Sequence, residues 1–175
     1  MWNALPAQES GTGAVPGSPA AEVRIADASA DDVWAVLSDG WLYANWVVGA
    51  SRIREVDDHW PAVGARIHHS VGVWPALLDD DTEVCAAIPG RQLVLTARAW
   101  PMGQARVRLT LDEVDGGRTR IGIVEDAESG PGRLVPRPVR QLLIRPRNRE
   151  SLLRLALLAE GRTASSAGLS GPDRP

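Results

Sequence analysis

Lysine is absent from this chain: all 19 of its basic residues are arginine. That excludes Schiff-base catalysis, a phosphate-loop lysine and a Ser-x-x-Lys nucleophile. Phenylalanine is missing too, and seven tryptophans with one tyrosine supply all the aromatic surface. An aromatic-lined interior would therefore be mostly indole, whose N–H wants a partner and whose ring suits amphipathic ligands. Cys85 is the only cysteine, so no internal disulfide can form. Long apolar runs are also lacking. The nearest, LLRLALLA, is interrupted by Arg154 and falls well short of the roughly 18 to 20 residues of a spanning helix. The first 20 residues have neither the basic nor the apolar region of a secretory signal, so the expected setting is cytoplasmic. A formal charge of -3 gives no global attraction to nucleic acid, and none is expected as a partner.

What is there is a patterned middle between two unpatterned ends. Residues 1–20 and 163–175 are rich in Gly, Pro, Ser and Ala without periodicity and read as disordered tails around one domain, 21–162. That domain opens with EVRIADA, where Val23 and Ile25 alternate with polar neighbours as on a strand. Ser29 with Asp32 three residues on forms a capping box, and Val33, Trp34, Val36 and Leu37 follow at helical spacing until Gly40. WLYANWVV makes a second short helical segment, and SRIREVDD returns to a strand. From residue 65 the turn signals VWPA, IPGR, WPMG and DGG separate alternating runs, the pattern of an antiparallel meander with one wet and one dry face. The last apolar stripe, Leu152, Leu155, Ala156 and Ala159, marks an amphipathic helix expected to stop at Gly161 and to be kinked or interrupted by Pro146. The class is α+β, with that helix as the cover for the dry face of the sheet.

The stretch ASADDVWAVLSDGWLYANWVVG, a small polar cap followed by Val-Trp, Leu, Asp-Gly and Trp, resembles the SRPBCC superfamily. That group holds the START lipid-transfer domains, the major birch-pollen allergen and the bacterial polyketide cyclase/dehydrase proteins. HHSVGVWP and RPRNRESLLRLALLAEG resemble small actinobacterial members of it. The resemblance implies a helix-grip fold: a curved antiparallel sheet wrapped around a long C-terminal helix, two short helices between the first two strands, and an apolar cavity. It implies no cofactor, and it leaves open whether the chain carries a ligand or changes one.

Adjacent strand residues point to opposite faces, so His68 and His69 cannot share one metal ion. No metal site is expected. Ala65, Ile67, Val71 and Val73 share the parity of His69, which turns it to the cavity and His68 to solvent. On the next strand Asp80 and Thr82 turn inward. A hairpin at VWPA pairs Gly72 with Leu77 and sets His69 opposite Asp80. Glu125, in phase with Thr119, Ile121 and Ile123, is a third inward polar group. His69 and Asp80 are thus the candidate acid/base pair, and with Glu125 they form a polar end able to orient a ligand carbonyl or hydroxyl. The bland alternative is that all three sit wet at strand ends. The cavity walls are assigned to Val71, Leu95, Ala97, Val107 and Leu109. Trp46, Trp74 and Trp100 stand where the resemblance puts its mouth, and Asn148 and Leu152 close it from the helix.

Between Arg133 and Arg154 there are seven arginines and one acid, Glu150. This is either a solvated face paired with acidic strands or a surface for transient membrane contact through Arg133, Arg137, Arg140 and Arg145. The leading functional expectation is binding or carriage of a small hydrophobic or amphipathic molecule, lipid-like or polyketide-like, by a monomer or homodimer. The alternatives are a polyketide cyclase/dehydrase-like enzyme using the His-carboxylate pair and a protein-interaction module built on the arginine-rich helix.

Overall fold

The computed structural model describes residues 22–73, 76–98 and 103–169. Seven strands form one antiparallel sheet in the order β1-β7-β6-β5-β4-β3-β2. They are β1 (Glu22–Ala26), β2 (Ala50–Val56), β3 (Arg66–Val73), β4 (Ala76–Ile88), β5 (Gln92–Arg98), β6 (Gln104–Val114) and β7 (Arg118–Ser129). Helix α1 (Ala30–Leu37), a single 3-10 turn (Gly40–Leu42) and α2 (Tyr43–Trp46) connect β1 to β2. A second 3-10 turn (Pro131–Leu134) leads into α3 (Arg137–Leu169). This is the helix-grip architecture.

The local signals act as their chemistry dictates. The Ser29 hydroxyl accepts from the Asp32 amide at 3.1 Å and donates to the Asp32 carboxylate at 2.8 Å, closing the capping box that starts α1. Gly40 is required because a Cβ there would lie 2.5 Å from Val56 Cγ1, so the chain passes closely under β2. The core lies between sheet and α3. Val33, Val36 and Leu37 of α1, Leu93, Leu95, Leu109 and Ile121 of the sheet, and Leu152, Leu155, Ala156 and Ala159 of α3 are all buried in it.

Four features depart from the sequence pattern. On β1 the apolar phase faces outward: Val23 and Ile25 are 55% and 46% exposed, while Glu22 and Ala26 are buried. The inner face of this edge strand lies under α3, and Glu22 meets Arg145 and Arg149 there. On β4 a register shift between Val84 and Ala86 inverts the later phase, so Ala87 packs on the core and Ile88 is 49% exposed. Pro146 does not divide α3. The carbonyl it leaves free belongs to Leu142, on the exposed side where water can bond it. Gly161 does not end the helix either. One glycine costs about 1 kcal/mol, and the RTASSAGL that follows is compatible with helix, so residues 163–169 are helical instead of tail.

Candidate functional site

The β3–β4 hairpin has the expected register. Gly72 pairs with Leu77 and His69 with Asp80, the strands reaching one pair further than expected, to Val73 and Ala76. His69, Asp80 and Thr82 are buried, as is Glu125 on β7. Of these, His69 and Glu125 line a cavity of about 130 Å³ between the inner face of the sheet, α2 and the middle of α3, whereas Asp80 and Thr82 are not in its wall. An apolar cavity of similar size, about 150 Å³, holds benzene, so a single small ring matches the volume.

Trp46, His69, Val71, Leu95 and Ala97 line this cavity, together with Val107, Glu125 and Asn148. Leu109 and Leu152 are not in its wall. Both are fully buried in the packed core instead. Trp74 and Trp100 lie outside the described residues. The sequence reading missed Tyr43 from α2, residues 47–50 after it, Arg98 of β5, Ala105 of β6, Ile123 of β7 and Arg147 of α3. The phase rule already turned Ile123 inward. The place of Tyr43 depended on how α2 docks, and Pro146 made the helical phase at Arg147 unreadable.

The His69 ring does not bond Asp80. Its Nε2 lies 3.0 Å from Thr82 Oγ1, and Tyr43 Oη lies 3.1 Å from the same oxygen. The Asp80 carboxylate accepts instead from the Asp81 amide at 2.8 Å, a local bond that holds it beside its own backbone. One arrangement of the hydrogens leaves the fewest buried polar groups unpaired. Tyr43 Oη has Thr82 as its hydrogen-bond partner and is buried, so its hydrogen goes to Thr82. Thr82 then gives its one hydrogen to His69 Nε2, which leaves the proton of the neutral ring on Nδ1. His69 Nδ1 is buried without a hydrogen-bond partner. Among the described residues nothing bonds that nitrogen, and the ring that carries it is one of the groups that line the cavity.

The electrostatics keep the relay uncharged. Burial holds the His69 imidazole below its ordinary range, against the opposing pull of the Asp80 charge. Burial pushes the Tyr43 phenol up to about 12, with the Thr82 bond only partly offsetting it. Burial also raises the Asp80 carboxyl, opposed by its Asp81 amide bond. On the far wall both oxygens of Glu125 accept from Arg147 Nη2, so the helix, not His69, is its partner. Ser151, also in the wall, accepts from the Val48 amide at 3.2 Å and ties α3 to the segment after α2. Among the described residues no cluster of three His, Cys, Asp or Glu side chains is placed to hold a metal ion.

Fold and site together define a class, a helix-grip container with a small, mostly apolar cavity and a buried histidine in its wall. The family described as polyketide cyclase/dehydrase and lipid transport matches residues 19–160, and the chain belongs to it. Proteins of this kind typically bind hydrophobic ligands. Among solved structures the chain is similar to the Zhui aromatase/cyclase of a Streptomyces species, with a TM-score of 0.60 and 17% identity over 82% of this chain and 94% of that one. It is also similar to a START superfamily protein from Mycobacterium smegmatis (TM-score 0.57, 19% identity, 85% and 99% covered). A protein of unknown function from Staphylococcus aureus superposes with a TM-score of 0.64 at 9% identity, covering 83% and 94%. At such identities the likeness carries the fold alone. No curated protein matches the sequence.

Proposed function

We propose that this protein binds, without altering it, a compact apolar molecule of about one ring that carries an acceptor oxygen, such as a carbonyl or hydroxyl. The observation that carries this reading is His69 in the cavity wall, whose buried Nδ1 has no hydrogen-bond partner among the described residues. A turn of the ring towards the cavity would let a ligand oxygen accept from it, and the apolar remainder would lie against Trp46, Val71, Leu95 and Val107. A cytoplasmic setting in an actinobacterium belongs to the same proposal and rests on the sequence patterns alone.

The second reading, a cyclase-like enzyme, is favoured by the family and by the aromatase/cyclase among the similar structures. The tautomer bears on it directly. With the proton on Nδ1, His69 faces the cavity as a donor that can polarise a carbonyl, not as a base that can take a proton. Asp80, bonded to its neighbour's amide, does not orient the ring. The Asp81 bond of Asp80 supports binding over proton transfer, and so does the arrangement that puts the proton on Nδ1.

Acetophenone and ethylbenzene, matched in shape and differing in the acceptor oxygen, separate the possibilities by calorimetric titration. Acetophenone is expected to bind about three- to tenfold more tightly, the worth of one hydrogen bond, and His69→Leu should erase the difference. Equal affinities in the unmodified protein would overturn the reading. Recovery of a bound molecule with changed mass after incubation would favour the enzyme.

A further inference from the structure

The amino-terminal half of α3 is built inside out. Val139, Leu142 and Leu143 are 51%, 72% and 73% exposed, and with Pro146 they recur at i, i+3, i+4 and i+7, the spacing of one helical face. The face turned to the sheet is polar. Gln141 donates to the Glu125 carbonyl at 3.3 Å and Asn148 is buried. Leu134, in the turn just before the helix, is 85% exposed and extends the apolar surface. Beyond Asn148 the order reverts, with Leu152, Leu155 and Ala159 buried as in an ordinary covering helix.

Up to Arg149 the charges that this part of the helix places beside the face are arginines, and Glu150, next along the same face, is paired with Arg154. Residues 131–149 contain six arginines and no aspartate or glutamate. Arg149 borders the apolar face on one side and Arg147 on the other, 65% and 43% exposed at their side chains. Glu22 and Glu125 hold these guanidinium groups from the sheet side, which fixes them along the edges of the stripe. Arg140 is not part of this surface. Its side chain is 11% exposed and bonds Asp126 and the Gly132 carbonyl, so it braces the turn. The side chain of Arg137 is not among those described.

We propose that this face docks the protein on an anionic lipid bilayer, with Leu134, Val139, Leu142 and Leu143 dipping among the acyl chains and Arg145, Arg147 and Arg149 meeting lipid phosphates. An apolar stripe bordered on both sides by arginine is the chemistry of a helix lying in a charged membrane interface. A protein groove would need carboxylates arrayed along both its edges to match it. Arg147 and Asn148 also line the cavity, so the docked protein would hold its binding site at the lipid surface. The inference stands apart from the ligand reading, because membrane binding is measured with no ligand present.

The test is co-sedimentation of the full chain with vesicles of phosphatidylcholine alone and of phosphatidylcholine and phosphatidylglycerol in equal parts. The protein should partition onto the phosphatidylglycerol vesicles, and added salt should weaken this. The double variant Leu142→Asp with Leu143→Asp should lower the partition by about tenfold or more while leaving thermal unfolding in place, since both side chains are exposed. Val139→Trp should raise it. Partition no greater than onto phosphatidylcholine alone, or a double variant that binds like the parent, overturns the proposal. A parent that ignores vesicles and forms a dimer abolished by the same double variant overturns it in favour of a second copy as the occupant.

Discussion

Thr82 has one hydrogen to give and two lone pairs, and Tyr43 and His69 both bond its oxygen inside the core. Thr82→Val keeps the volume and removes the acceptor of one group and the donor of the other. Each buried polar group left unpaired costs about 1 to 3 kcal/mol, so the variant should lose about 2 to 4 kcal/mol in urea unfolding. Adding Tyr43→Phe should restore part of that, because the orphaned hydroxyl is then gone. Strictly additive losses would mean that the relay is not formed. The parity rule was enough to turn His69, Thr82 and Glu125 inward and, with the hairpin signal, to pair His69 with Asp80. It could not choose the hydrogen-bond partner. That choice depended on the direct neighbour Asp80 bonding Asp81 and on Tyr43 arriving from α2, neither of which leaves a local trace in sequence.

Elements followed the sequence where one local force dominated, as in the capped start of α1 and the turns between strands, and departed where tertiary packing outweighed a weak signal. The shift beside Cys85 reverses the faces of β4 with nothing in ALLDDDTEVCAAI to announce it. β1 turns Val23 and Ile25 outward because its inner face must meet the arginines of α3. At Gly161 the signal was real but small. The continuation of α3 is fastened at Thr163, whose hydroxyl bonds the Asp32 carboxylate at 2.8 Å, the same group that caps α1. Gly161 thus sits in a helix interior, exposed, and a Cβ there would meet nothing within 4 Å. Gly161→Ala should stabilise the protein by about 0.5 to 1 kcal/mol, the difference in helix propensity, read as a higher urea midpoint. A lower midpoint would mean that the glycine ends the helix in solution.

Over the whole molecule, α3 is clipped to both β1 and β7 by carboxylates: Glu22 holds Arg145 and Arg149, Glu125 holds Arg147, and Asp126 holds Arg140. The Glu22 clip makes the hold of α3 on β1 depend on pH. For Glu22, burial alone would raise the carboxyl, but the bonds and charges of Arg145 and Arg149 outweigh it and leave it below its ordinary 4.5. A depressed carboxyl contributes stability that is present above 4.5 and lost as the pH falls through the folded value. His69, held below its ordinary 6.5 by burial, acts in the same direction at higher pH, because the unfolded chain takes a proton that the fold resists. Asp80, raised by burial, acts the other way: acid relieves a cost that it imposes at neutral pH. Glu22→Gln should therefore lower stability at neutral pH by about 1 kcal/mol, the modest figure for partly exposed pairs. Below pH 4.5 the gap to the parent should close as the parent's own carboxylate takes up its proton. The loss at higher pH due to His69 should be the same in both. Amide exchange at β1 and in α3 around Arg145 should show the same convergence, and a constant gap between variant and parent down through the acid range would mean that Glu22 fastens the sheet to the helix by packing and not by charge.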